Sequence, residues 1–204
     1  MRISLIGMSG VGKSYWAKQL EQAGFQRFCC DDLIEKKLQH LLKNSGTAGI
    51  SEWMGQPYDT QYIRASKLYL HLEEQVVREI LETIKKIPQE ENVVIDTTGS
   101  VIYLNQELLE VLQKTTTIIY FRTSEETKEE LFVTYCQNPK PVIWGNLYTP
   151  KQGETGKESL VRCFPELLNW RAKQYEKLAH ATIDYYTLKN MHDARGLINS
   201  FQYI

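Results

Sequence analysis

The stretch Gly7-Met8-Ser9-Gly10-Val11-Gly12-Lys13-Ser14 decides the fold of this chain. Two glycines separated by four residues and followed by lysine and serine have the spacing of a phosphate-binding P-loop. A short apolar run over residues 3–6 precedes the motif, and a helical pattern over residues 13–23 follows it. Because strand, loop and helix in this order are the context that the motif requires, the sequence predicts a nucleoside triphosphate site.

Each position of the P-loop has a chemical role at a bound phosphate. Glycines let the backbone N–H groups turn inward, towards the phosphate oxygens. Lys13 is predicted to neutralise the β and γ phosphates as a catalytic residue, and Ser14 to bind a magnesium ion. The predicted nucleotide-binding residues of the loop are Gly7, Ser9, Gly10, Val11, Gly12, Lys13 and Ser14. We therefore expect ATP and Mg²⁺ as cofactors.

Strand-like and helical patterns alternate along the rest of the chain. Further strands are predicted over residues 26–30, 93–95, 117–121 and 181–185, with helices between them, the longest over 60–87. Strands that alternate with helices of this length form parallel βαβ units, in a sheet covered on both faces. The predicted fold class is α/β, a three-layer sandwich with a five-stranded parallel sheet, of the P-loop NTPase type found in small-molecule kinases.

The chain is predicted to form one P-loop kinase domain over residues 1–204. Its 204 residues, of which 42% are hydrophobic, suffice for one core. A substrate-side insertion is expected over about 36–87 and a lid over about 138–158. Residues 43–59 and 138–158 lack the alternating pattern, so both are predicted to be loops near the active site.

Charge and cysteine content exclude several classes of protein. The 24 lysines and arginines nearly cancel the 25 aspartates and glutamates, so no overall field favours nucleic acid or an anionic membrane. The cysteines show neither a disulfide framework nor zinc-ligand spacing, and no apolar run suits a signal peptide or a membrane span. We expect a cytoplasmic monomer or small homo-oligomer that acts on a small molecule, with no nucleic acid or membrane partner.

Carboxylates follow two predicted strands, at the edge where α/β proteins bind ligands. Asp31 and Asp32 follow the second strand, and either is suited to orient an acceptor hydroxyl or to cap the next helix; the cap is assigned to Asp32. Asp96 follows the apolar residues 93–95, a pattern typical of a carboxylate that holds magnesium or its water. Aspartate is also a common turn residue in this position. The predicted metal ligands are Ser14 and Asp96.

At these residues the chain resembles the shikimate kinase family. The second strand of that family ends in Asp-x-Asp-x-x-Ile-Glu, which Cys29-x-Asp31-x-x-Ile34-Glu35 matches except for the first aspartate. Further matches are Ile50-x-Glu52, an aromatic-rich step into Arg64, Thr97-Thr98-Gly99-Ser100-Val101, and Arg171-x-x-x-Tyr175. The resemblance implies that Asp31 is a catalytic and substrate-binding residue, and that Arg64, Gly99 and Arg171 also bind the substrate. Guanidinium groups suit a carboxylate because they donate two parallel hydrogen bonds.

Some positions depart from the family. Cys29 stands where the family has a metal-side aspartate, which Asp96 is a candidate to replace. Thr97 and Thr98 stand in place of two glycines, so we expect β-branched side chains to narrow the acceptor pocket or to add hydroxyl donors. The lid arginine of the family aligns with Lys140, which is predicted to bind the nucleotide phosphates.

Together, these residues predict a shikimate kinase-like phosphotransferase with an alcohol group as acceptor. The enzyme is expected to transfer the γ-phosphoryl group of ATP to a hydroxyl of a small, anionic molecule, and shikimate itself is expected to be a poor substrate. Two alternatives stay open: a nucleoside or nucleotide kinase of the same fold, and an ATP-binding sensor or regulatory module with little turnover.

Overall fold

Strands and helices alternate along the chain in the computed structural model, which describes residues 1–47, 49–137 and 142–201. The strands are β1 (Arg2–Ile6), β2 (Gln26–Cys29), β3 (Val93–Asp96), β4 (Thr117–Arg122) and β5 (Ala181–Asp184). The helices are α1 (Lys13–Gln22), α2 (Cys30–Ser45), α3 (Ile50–Met54), α4 (Tyr62–Lys86), α5 (Gln106–Thr115), α6 (Glu125–Gln137), α7 (Gly156–Leu178), α8 (Tyr185–Lys189) and α9 (Ala194–Asn199), with a 3₁₀ helix at Val101–Tyr103.

The strands form one parallel sheet in the order β2-β3-β1-β4-β5. β1 is central, and its Leu5 pairs with Asp96 of β3 on one side and with Ile119 of β4 on the other. Parallel neighbours need crossover connections, which the helices provide while covering both faces of the sheet. The predicted three-layer α/β sandwich with a five-stranded parallel sheet is confirmed.

The core lies on the central strands and the helices that cover them. Val93, Val94 and Ile95 of β3 and residues 118–121 of β4 are fully buried. Such continuous apolar runs are required of strands that are covered on both faces. The carboxyl-terminal half of α4 also belongs to this core, because Val76, Val77, Ile80 and Ile84 are buried along one face of the helix. None of the described helices is long and apolar enough to cross a membrane.

Two predicted loops contain helical structure. α2 continues to Ser45, and α3 (Ile50–Met54) lies within residues 43–59, which were expected to form a loop. The apolar residues Ile50, Trp53 and Met54 are spaced three and four apart, so one turn of helix suffices to bring them to the core. α7 likewise begins inside the predicted lid, at Gly156, where Thr155 and Glu158 form a reciprocal capping box.

At Gly7 the backbone of the P-loop lies close to the backbone of β4. The φ of Gly7 is +144°, and a Cβ atom at this position would lie 2.8 Å from the carbonyl oxygen of Phe121. We expect Gly7→Ala to lower the free energy of unfolding by roughly 1–3 kcal/mol through backbone strain, and further through this collision. Gly24→Ala is the matched control, because Gly24 has a φ of +95° but nothing within 4 Å of the added Cβ. Urea unfolding of both variants measures the difference, and equal losses would contradict the collision.

Candidate active site

The P-loop joins β1 to α1 at the carboxyl edge of the sheet. Gly7, Gly10 and Gly12 have φ values of +144°, +86° and +96°, which only glycine adopts readily. Gly12 is the N-cap of α1, and no side chain caps the first turn of that helix. The N–H groups of this turn, at the positive end of the helix dipole, therefore remain open to an anion.

The other predicted residues of the loop divide between its surface and its base. Ser9 and Gly10 are exposed, as is Ser14 in the first turn of α1. Val11 is buried, and its Cγ2 would lie 3.3 Å from a Cβ atom on Gly7. Of the predicted nucleotide-binding residues, Ser9, Gly10 and Ser14 thus lie on the open side of the loop, while Val11 packs beneath it.

Lys13 is the buried cation at the centre of the site. Its side chain is 7% exposed, and its Nζ donates to the carbonyl oxygens of Gly7 and Met8, each at 2.9 Å. Burial lowers the pKa of Lys13 to about 8, although the charges of Asp96 and Asp31 oppose this shift. An additional anion beside Nζ would favour the charged form, because it would compensate the desolvated ammonium.

Asp96 ends β3 as a buried carboxylate with one partner. Its Oδ2 accepts a hydrogen bond from Arg27 at 2.8 Å, within an ion pair of the same length. Its Oδ1 is buried and has no hydrogen-bond partner within the described ranges. Cys29 pairs with Asp96 across β2 and β3, and burial raises the pKa of the Cys29 thiol to about 11. A neutral thiol thus faces the carboxylate.

Asp31 lies in the first turn of α2, close to the other charged groups. Its side chain is exposed, and its Oδ1 accepts a long hydrogen bond from the Tyr69 hydroxyl, at 3.5 Å. Desolvation by its surroundings raises the pKa of Asp31, Lys13 lowers it, and Asp96 raises it again. The structure therefore brings Asp31, Lys13 and Asp96 into one electrostatic neighbourhood.

The N-cap of α2 differs from the sequence prediction. Cys29 occupies the N-cap position, and no side chain donates or accepts a capping hydrogen bond there. Asp32 lies in the first turn of the helix with Asp31, where a carboxylate interacts favourably with the helix dipole. The helix begins earlier than predicted because β2 ends at Cys29.

The β3 loop, residues 97–100, separates the P-loop from the acceptor side. A Cβ atom on Gly99 would lie 3.5 Å from the backbone nitrogen of Ser9 and 3.7 Å from a guanidinium nitrogen of Arg171. Thr97 is buried and donates to the carbonyl oxygen of Leu5 at 2.7 Å. Thr98 is buried as well. The expectation that these threonines narrow the acceptor pocket is corrected, because both side chains point into the protein.

Glu73 is a buried acid that sequence reasoning missed. It is fully buried on α4, where its Oε1 accepts from the Thr98 hydroxyl and its Oε2 accepts from the Ser100 hydroxyl at 2.6 Å. Burial raises the pKa of Glu73 to about 7, although both hydrogen bonds favour the carboxylate. A signal was present in the sequence, since Glu73 continues the buried stripe of Tyr69 and Val76.

Arg171 on α7 is the cation of the acceptor side. It is 6% exposed, and its guanidinium donates to the carbonyl oxygens of Ile143 at 2.7 Å and Gly99 at 3.5 Å. The group lies 5.5 Å from the ring centroid of Tyr103, a cation–π distance. Its Nε has no partner, and no carboxylate lies within ion-pair distance, among the residues that the structure describes.

Arg64 and Arg171 differ in burial, since Arg64 is exposed on α4 and Arg171 is buried on α7. Successive residues of a helix point about 100° apart, and the buried stripe of α4 begins with Tyr62, Ala65 and Tyr69. Arg64 falls between these positions and is exposed. Helical phase explains the exposure of Arg64, and the joint role of Arg64 and Arg171 at one acceptor stays a prediction.

The described part of the predicted lid is fixed by side chains from three elements. Lys140, the predicted phosphate contact, lies outside the described residues. The Tyr62 hydroxyl donates to Val142 O at 2.7 Å and accepts from Trp144 N at 3.0 Å, while Tyr103 donates to Ile143 O at 3.0 Å. Trp144 is buried between aromatic rings rather than open to a ligand.

A shallow cavity of about 380 Å³ lies far from these groups, at the amino-terminal edge of the sheet. It is lined by polar side chains, among them Arg2, Lys114 and His180. In open α/β sheets, ligands bind at the carboxyl ends of the strands. The P-loop edge is therefore the candidate active site.

The groups at this edge suit a nucleotide with a hard divalent cation. The Ser14 hydroxyl and the unpartnered Asp96 Oδ1 are oxygen donors of the kind that Mg²⁺ prefers. Magnesium is usually bound by one or two carboxylates together with substrate phosphates, rather than by a full protein cage. The described residues contain no group of three or more His, Cys, Asp or Glu side chains that is suited to hold a metal.

Comparison with known proteins agrees with this geometry. A family model described as an AAA domain, a P-loop domain, matches residues 3–144. No curated protein matches the chain.

Three solved structures illustrate the fold similarity. Shikimate kinase from Acinetobacter baumannii in complex with shikimate is 21% identical, with a TM-score of 0.56 over 98% of this chain and 90% of that one. Shikimate kinase from Bacteroides thetaiotaomicron is 20% identical, with a TM-score of 0.57 over 99% and 96%. Dephospho-CoA kinase from Campylobacter jejuni is 13% identical, with a TM-score of 0.50 over 99% and 96%. The predicted resemblance to shikimate kinase-like small P-loop kinases is thus confirmed at the level of the fold.

Glu73 gives the stability of the protein a defined pH dependence. Its pKa is about 7 in the folded state against an ordinary value of 4.5, so the folded state retains a proton that the unfolded state releases. The resulting stability is present below pH 4.5 and is lost as the pH rises through 7. From pH 5 to pH 8, we expect wild type to lose on the order of 2–3 kcal/mol of unfolding free energy relative to Glu73→Gln.

Denaturant unfolding at a series of pH values measures this difference. The control is Glu79→Gln on the same helix, since the side chain of Glu79 is 63% exposed. If the free energies of unfolding of wild type and Glu73→Gln changed in parallel with pH, the buried acid would not titrate in this range.

Proposed function

The chain belongs to the AAA domain family, and we propose that it is an ATP-dependent small-molecule kinase. It transfers the γ-phosphoryl group of ATP to a hydroxyl group of a small, anionic acceptor. The observation that carries this proposal is the shared neighbourhood of Lys13, Asp31 and Asp96 beside the P-loop. Phosphoryl transfer needs positive charge at the phosphates and a carboxylate at the attacking hydroxyl, and both are available there.

Lys13 serves the nucleotide. Its ammonium donates to two neutral carbonyl oxygens, those of Gly7 and Met8. Phosphate oxygens are stronger acceptors because hydrogen bonds between charged groups are about twice as strong as neutral ones. Their negative charge would also keep Lys13 protonated, against the effect of its burial.

Ser14 and Asp96 would hold the magnesium ion of the nucleotide. The fit rests on the exposed hydroxyl of Ser14 and on Asp96 Oδ1, which lacks a protein partner within the described ranges. When bound, magnesium neutralises the charge on the β and γ phosphates. Arg27 keeps the other oxygen of Asp96 occupied and the carboxylate in place.

Asp31 and Arg171 serve the acceptor. Asp31 accepts the proton of the attacking hydroxyl or orients that hydroxyl, and the hydrogen bond from Tyr69 limits the rotation of its carboxylate. Arg171 is a buried guanidinium that is bound by backbone carbonyls and an aromatic ring. An anionic group on the acceptor would compensate this buried charge, which favours an anionic substrate class.

Shikimate is expected to be a poor acceptor. Thr97 and Thr98 do not account for this, because their side chains point into the protein. The proposal rests on the groups that would bind the carboxylate of shikimate, because Arg64 is exposed to solvent and Arg171 is buried. Ion pairs of solvent-exposed arginines contribute little, so Arg64 would add less to the binding of a ring carboxylate than a second buried guanidinium would.

An ADP-release assay tests the proposed reaction. Purified protein is incubated with ATP, Mg²⁺ and a panel of hydroxy acids, sugars, nucleosides and shikimate. We expect turnover that depends on a small anionic hydroxy compound, and its loss by on the order of a thousandfold in Lys13→Ala, since one preorganised charge contact is removed. Lys18→Ala, an exposed lysine of the same helix, is the control.

Three outcomes of this assay would count against the proposal. Turnover with nucleosides alone would identify a nucleoside kinase instead. Nucleotide binding without acceptor-dependent turnover would identify a sensor. Normal turnover in Lys13→Ala would remove the P-loop from the mechanism.

Magnesium titration tests the role of Asp96. We expect Asp96→Asn to raise the Mg²⁺ concentration for half-maximal ADP binding by on the order of tenfold, because an amide compensates the charge of the metal less well. Calorimetry at several Mg²⁺ concentrations measures this shift, and thermal unfolding shows whether the variant is folded. Asp184→Asn is the control, because Asp184 ends β5 in the same way but is exposed. An unchanged magnesium requirement would assign Asp96 to the ion pair with Arg27 alone.

A further inference from the structure

Glu73 joins α4 to the β3 loop through a closed set of hydrogen bonds. Its two carboxylate oxygens accept from the hydroxyls of Thr98 and Ser100. The loop is closed on itself as well, because Ser100 N donates to Thr98 Oγ1 at 3.0 Å. Since Glu73 is fully buried, it cannot contact a substrate in this arrangement, and its effect on the site must pass through the β3 loop.

The β3 loop contacts both halves of the site at Gly99. On one side, Gly99 faces the P-loop, because a Cβ atom added to it would lie 3.5 Å from the backbone nitrogen of Ser9. On the other side, its carbonyl oxygen accepts from the Tyr175 hydroxyl at 2.5 Å and from Arg171 at 3.5 Å. Thr98 and Ser100, which Glu73 holds, are the direct neighbours of Gly99 in the chain. Movement of these two residues would therefore move Gly99 relative to the P-loop and to Arg171.

We propose that Glu73 is a positioning residue of the phosphoryl-transfer site. It holds the β3 loop so that Gly99 keeps its position relative to the P-loop and to Arg171. This inference rests on the proposed function, because it assumes that the P-loop binds a nucleotide. Groups that act through a second layer of contacts typically affect binding or activity by 10–100-fold. A loose supporting layer leaves a site present but imprecise.

The ionisation of Glu73 sets how firmly the loop is held. As a carboxylate, Glu73 has two strongly accepting oxygens, one for each hydroxyl. When Glu73 is protonated, one of these oxygens carries the proton and becomes a weaker acceptor. Its charge is influenced by Asp31 and Cys30 of α2, by Tyr69 on its own helix, and by Arg171 and Tyr175 of α7. Arg171 favours the carboxylate and Asp31 opposes it, so a change of charge in the acceptor pocket would also reach Glu73.

MgADP affinity, measured by calorimetry between pH 6 and pH 8, tests this role without knowledge of the acceptor. We expect the ratio of wild-type to Glu73→Gln affinity to be near one at pH 6, where both side chains are neutral, and to rise to on the order of tenfold at pH 8. Because the result is a ratio, the titration of ADP itself cancels. Glu73→Leu is expected to bind MgADP on the order of tenfold more weakly than wild type at pH 8.

Glu79→Gln, an exposed glutamate of α4, is the control and should follow wild type at every pH. A ratio that stays near one from pH 6 to pH 8 would overturn the proposal and leave Glu73 as a residue of stability alone. If Glu73→Leu does not fold, the pH series with Glu73→Gln still decides. If wild type and Glu79→Gln both fail to bind MgADP, the proposed function fails first, and this inference fails with it.

Discussion

The buried ammonium of Lys13 sets the arrangement of charge at the carboxyl edge of the sheet. An ammonium that loses water must be compensated by acceptors nearby. Two P-loop carbonyls accept hydrogen bonds from it, and Asp96 at the end of β3 and Asp31 in the first turn of α2 provide opposite charge. Arg27 forms an ion pair with Asp96, and Arg171 donates to the carbonyl oxygen of Gly99 in the β3 loop. Each charged group of the site is thus placed within reach of at least one group of opposite sign or of a carbonyl dipole.

Much of this arrangement could be predicted from the sequence, because it depends on local patterns. The apolar strands, the P-loop and Asp96 follow from short runs of residues whose meaning does not require the rest of the chain. Arg64 could not be placed in this way, since its exposure depends on the helical phase of α4, which long-range packing of Tyr62, Ala65 and Tyr69 determines. The short helix α3 was missed for a similar reason, because its apolar face becomes visible only when the core that it contacts is known.

Arg27 and Glu73 were missed although both carried a signal. A partly buried charged residue in a strand, and an acid within the buried stripe of a helix, are each costly unless they are paired. Arg27 is paired with Asp96 from the neighbouring strand, and Glu73 is bound by hydroxyls from the β3 loop. These partners are 69 and about 25 residues away in sequence, so a search for local motifs does not find them. The more general signal is a charged residue at a position where the periodicity of the helix or strand predicts a buried apolar side chain.

The anchoring of residues 142–144 has a consequence for how this site evolves. Arg171 and Tyr103 donate to the same carbonyl oxygen, that of Ile143, while Tyr62 holds the residues on either side. The residue best suited to recognise an anion is therefore also part of the framework of the protein. A lineage that adopts a neutral substrate has no simple route by loss of Arg171, because the same substitution would release a backbone carbonyl within the fold. A change of specificity is therefore expected at the positions around the guanidinium rather than at Arg171 itself.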